Sequence, residues 1–141
     1  MSAAVLCLLA GSGGLARAEA GVAVATDQLL AGVYAPHQWF TTQHLTNVSN
    51  ASSKKVAIGG IWFDVGDRPD NIVYLLEAVW AAGATPFVNI HVGVTTDVLA
   101  AGGIDHLIWG LGVAVQSWLA QGEGRSVMLA PMPEMNGDWI P

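Results

Sequence analysis

Short apolar runs alternate with amphipathic helical stretches along this chain, and that alternation constrains its fold more than any other feature. The runs are Leu29 to Ala35, Lys54 to Phe63, Thr85 to Val92 and Ser126 to Met132, each bounded by turn residues. Asp70 opens a helical stretch in which Ile72, Leu75, Leu76, Val79 and Trp80 recur at three and four residues. Asp70 suits the N-cap, where its carboxylate accepts from first-turn N–H groups, and Gly83 suits a left-handed stop. A second helix is expected from about Ile104 to Gln121, burying Ile104, Ile108, Leu111, Val115, Trp118 and Leu119. Thr41 to Ser53 is polar and rich in Thr, Ser and Asn, and reads as a loop or an extra helix.

Apolar strands alternating with helices imply an α/β fold with a parallel sheet covered by helices. Strands near 29–36, 54–64, 84–93 and 126–134 are expected side by side in that order, with helices 70–82 and 104–121 over one side. No strand leads into a Gly-rich phosphate loop: Gly59-Gly60 lies inside a strand, and Gly11 to Gly14 precedes any strand. That removes the main support for a nucleotide-binding sheet and leaves a (β/α)8 (TIM) barrel, which takes roughly 250 residues. With 141 residues the chain reads as the N-terminal half of such a barrel, strands one to four within residues 21–141. The competing reading is a complete small α/β domain.

Composition excludes several functions. With 52% hydrophobic and 11% charged residues, the chain is too apolar for disorder. Its formal charge is −6 and its five bases are scattered, so a nucleic-acid partner is not expected. The single cysteine, Cys7, excludes an internal disulfide and a Cys-based metal site; neither metal nor cofactor is expected. Ala3 to Ala10 is an apolar run too short to span a membrane, followed by the small-residue pattern Ala16-Arg17-Ala18-Glu19-Ala20. Residues 1–20 therefore read as a signal peptide cleaved after Ala18 or Ala20, although no Lys or Arg precedes the run, and the protein is expected to be secreted. The sequons Asn47-Val48-Ser49 and Asn50-Ala51-Ser52 sit in the polar stretch and decide little.

In a barrel the active site forms at the C-terminal ends of the strands. Strand two ends in Trp62-Phe63-Asp64, and strand three in Asn89-Ile90-His91, where alternation puts Asn89 and His91 on one face. A strand-end His is more often structural, Asp64 serves equally as a cap, and Trp62 and Trp80 read first as packing residues. Glu134 differs: Pro131, Met132, Pro133 and Met135 surround it after an apolar strand. Such a setting disfavours the charged carboxylate, as a general acid requires.

The segment Leu129-Ala130-Pro131-Met132-Pro133-Glu134-Met135-Asn136-Gly137-Asp138-Trp139 resembles the strand-four signature of glycoside hydrolase family 26, the β-mannanase family. Gly103-Ile104-Asp105 and the Ala/Trp-rich stretch after it are also similar to this family. The resemblance implies a TIM barrel in which Glu134 is the catalytic acid/base. It makes Asn136, Trp139, His91 and Trp62 candidate substrate contacts for a polysaccharide or oligosaccharide. Where the family has an Arg four residues before the Glu and a His directly before it, this chain has Ala130 and Pro133. It therefore looks like a divergent relative acting on a β-mannan or another β-glycan.

A retaining glycosidase needs two carboxyl groups about 5–5.5 Å apart. The family's nucleophile is a second Glu on strand seven, so these 141 residues alone are expected to be inactive. Two other readings stand beside this one. A non-catalytic carbohydrate-binding barrel would use Trp62 and Trp139 as stacking platforms. An intracellular α/β enzyme would use Asp64 or His91.

Overall fold

The computed structural model describes residues 30–34, 41–122 and 124–132. Its elements run β1 (Gly32–Tyr34), α1 (Thr42–Ser52), β2 (Ile58–Asp64), α2 (Pro69–Ala81), β3 (Thr85–His91), α3 (Thr96–Ala100), α4 (Asp105–Leu119) and β4 (Met128–Pro131). The sheet has the order β1-β2-β3-β4, and every pair is parallel. The chain is thus an α/β protein with its strands adjacent in sequence order, as the alternation of apolar runs predicts.

Strand pleating divides the sheet into two unlike faces. Ile61 and Phe63 of β2 and Val88 and Ile90 of β3 are buried in one core with Ile72, Leu75, Leu76 and Val79 of α2. Leu45 of α1 and Leu111, Ala114, Val115 and Trp118 of α4 complete that core. The alternate set, Ile58 and Trp62 on β2 with Phe87 and Asn89 on β3, lines a cavity of about 410 Å³ with Tyr34 on the other face.

Local chemistry explains where the helices start and stop. The N-cap of α2 is Arg68, not Asp70, because Pro69 occupies the first helical position. Proline presets the helical φ there and pushes the preceding residue into the extended region, where Arg68 lies at φ −64° and ψ 135°. Asp70 falls in the first turn, where its charge complements the helix dipole. The other end is the stop expected: Gly83 has φ +76°. Its N–H donates to the Trp80 carbonyl, and the Ala84 N–H donates to that of Val79, the paired bonds of a Schellman motif.

The polar stretch after residue 41 is the helix α1, so both sequon asparagines sit on an exposed helical surface rather than in a loop. α3 has only five residues, too few for a periodic signal. On α4 the expected buried face is shifted. Ile104, Leu111, Val115 and Trp118 are buried, but Ile108 is 43% exposed. Ala114 is buried with them, because α4 leans on α2 through its later turns. Among the described residues no helix is long and apolar enough to cross a membrane.

Candidate functional site

β2 and β3 run in register for seven residues, which pairs Trp62 with Asn89 and Asp64 with His91. The two pairs are two residues apart along each strand, so they share a face and are separated by roughly 7 Å. An aromatic–amide pair and an acid–imidazole pair therefore follow one another toward the C-terminal edge of the sheet. Trp62 and Asn89 are half-buried and line the cavity on the face opposite the helical core.

At the edge itself, Nδ1 of His91 lies 2.9 Å from Oδ1 of Asp64. The side chains are 44% and 69% exposed, respectively, so both remain within reach of a ligand. Backbone bonds fix the pair. The Val65 N–H donates to the His91 carbonyl at 2.9 Å, and the Asp67 N–H donates to the Asp64 carbonyl at 2.9 Å. Asp67 Oδ2 in turn accepts from the Asp64 N–H at 3.2 Å. Each strand end is therefore closed by a turn or a cross-strand bond.

β4 joins this edge from the other side of β3, with Asn89 opposite Ala130 and Ile90 opposite Pro131. The chain continues past the strand with the Met132 N–H donating to the Ile90 carbonyl at 3.0 Å. Glu134, Asn136 and Trp139, expected to carry the acid/base and sugar contacts, lie outside the described residues, as does the N-terminal stretch read as a signal peptide.

Of the residues singled out from sequence, His91, Asp64, Trp62 and Asn89 are brought together on one face. Trp80 belongs elsewhere. It meets Trp118 edge-to-face at 5.9 Å on the helical side, consistent with packing. Tyr34 escaped the sequence reading. It pairs in register with Gly60, is 54% exposed, and lines the same cavity as Trp62. The signal was its two-residue spacing from Gly32 in a short strand, too brief to establish which face it takes.

A separate groove of about 530 Å³ lies between α4 and β4, walled by Ile108, Trp109, Val113, Leu119, Val127 and Leu129. It is apolar and distant in kind from the acid–imidazole edge. No group of three His, Cys, Asp or Glu side chains able to hold a metal occurs among the described residues. In comparisons with known proteins, the chain matches no family model and no curated relative.

Proposed function

We propose that this chain supplies the acid/base half of an exported, retaining glycoside hydrolase that acts on a β-mannan or related β-glycan, on a (β/α)8 barrel like that of glycoside hydrolase family 26. One observation carries the reading: four parallel strands stand in chain order, the helical core lies on one face, and Trp62, Asn89, Asp64 and His91 gather on the other toward the C-terminal edge. A doubly wound sheet reverses its strand order and places helices on both faces. Among the described residues the strand order does not reverse, and polar groups at the C-terminal edge fit the active-site rim of a barrel.

In this reading Glu134 protonates the departing glycosidic oxygen and then activates water, while Asn136, Trp139, His91 and Trp62 hold the sugar. The nucleophile comes from a later strand of the complete barrel.

Replacing Glu134 by Gln keeps its size and removes the proton. In the full gene product, turnover of β-mannan or mixed β-glucan is expected to fall by roughly 10²–10⁴. An aryl glycoside with a good leaving group should lose less, and azide should restore turnover by attacking the glycosyl-enzyme without base help. Undiminished polysaccharide hydrolysis by Glu134→Gln defeats the assignment. Tight glycan binding with no hydrolysis by the wild-type protein would favour the non-catalytic carbohydrate-binding barrel instead.

A further inference from the structure

The acid–imidazole pair at the sheet edge has a chemical polarity that the strand register alone does not require. An ionised carboxylate offers only acceptors, so the 2.9 Å contact from His91 Nδ1 to Asp64 Oδ1 requires the hydrogen to sit on Nδ1. A neutral imidazole carries one N–H, which leaves Nε2 with a bare lone pair. Among the described residues Nε2 takes no hydrogen-bond partner. We infer that Asp64 is a positioning residue that holds His91 in this tautomer, so that Nε2 accepts a hydrogen bond from a hydroxyl of the bound glycan; the identity of that ligand rests on the glycosidase reading above.

Three features support a positioning role over a purely structural one. First, a contact this open to solvent contributes little to stability, so folding does not depend on it. Second, the pair sits on a seven-residue ladder with its backbone bonded on both strands, so the imidazole is aimed by rigid elements rather than by a loop. Third, Trp62 and Asn89 lie two residues back on the same face, giving an apolar surface and an amide beside the imidazole. A pyranose ring offers the complement of that set: an apolar C–H face and a rim of hydroxyls that both donate and accept. Holding Nε2 as an acceptor then selects a hydroxyl that points its proton at the β3 end.

The test uses the full gene product labelled with 15N-histidine, and mannan and glucan oligosaccharides with β-1,4 links as probes. Long-range 1H–15N spectra of the wild-type protein are expected to show His91 as the Nδ1–H tautomer. Asp64→Asn has the same shape, but its amide can donate to Nδ1 as well as accept from it. His91 should therefore become a tautomer mixture while the melting temperature stays close to wild type. KM for the oligosaccharide should rise roughly tenfold, the size of one lost hydrogen bond, with kcat falling far less. In His91→Gln a carbonyl oxygen occupies the Nε2 position without needing Asp64. The double variant Asp64→Asn/His91→Gln should thus recover most of the lost affinity.

A wild-type His91 protonated on Nε2, or an Asp64→Asn variant with unchanged KM, overturns the inference. A wild-type protein that neither binds nor cleaves any β-glycan defeats the glycosidase reading and the glycan half of this inference. The tautomer spectra decide the Asp64 half separately.

Discussion

Gly59 sets how closely two helices approach the sheet. A Cβ there would lie 2.7 Å from Val79 Cγ1 and 3.1 Å from Leu45 Cδ1, so α1 and α2 both press on the bare backbone of β2. Gly59→Val should overpack this contact and destabilise the protein by about 1–3 kcal/mol. The urea midpoint is expected to drop while the slope of the transition stays unchanged. Gly83 and Gly59 were unequally legible in the sequence for one physical reason. Gly83 ends a helix whose periodicity lies in the adjoining residues, so its left-handed role could be read locally. Gly59 answers to Leu45 and Val79, which lie far from it in sequence and meet it only in the fold. The site residues divide similarly. Alternation alone put Asn89 and His91 on one face, but the pairing of His91 with Asp64 needed the register of β2 against β3.

At the level of elements, α2 and α4 are joined by a polar clasp on their shared flank. Glu77 Oε2 accepts from Trp118 Nε1 at 2.9 Å and from Arg125 Nη1 at 2.6 Å, while the guanidinium lies 4.9 Å from the centroid of the Trp118 ring. The Arg125 side chain is only 12% exposed, so removing its partner strands a nearly buried charge together with an indole donor. Glu77→Ala should cost about 1–3 kcal/mol in stability, read as a lower midpoint in chemical denaturation. Glu77→Gln should recover part of the loss, since its carbonyl still accepts. None of this was legible beforehand, because Glu77 stands outside the apolar periodicity that defined α2. The shifted face of α4 has a related origin. Periodicity identifies an apolar stripe but not which part of it a neighbour covers, and α2 covers the later turns while leaving Ile108 beside β4.

For the whole molecule, the strand order was the most legible feature, since apolar strands joined by helices leave few alternatives to a parallel sheet in sequence order. The face opposite the core, which no helix covers among the described residues, is the harder consequence. Parallel sheets are ordinarily covered on both faces, yet here Tyr34, Trp62 and Phe87 line an open cavity on the face opposite the core. On the flank, Trp109 is 76% exposed and Val113 49%, beside a β4 edge that pairs with no further strand among the described residues. Open edges and uncovered apolar faces both promote association. The 141-residue chain expressed alone should therefore self-associate, eluting from size-exclusion chromatography ahead of its 14.7 kDa mass. A sharp monomer peak with cooperative thermal unfolding would contradict the half-barrel reading.

The unequal ladders within the sheet also order its motions in time. β2 and β3 are matched over seven residues, whereas among the described residues β1 meets β2 over three and β4 meets β3 over four. Opening costs least where the fewest bonds break together, so excursions from the native state begin at the two flanking strands and reach the central pair last. Asp64 and His91 end that central pair. The acid and the imidazole therefore keep their mutual aim through fluctuations that briefly release either margin of the sheet.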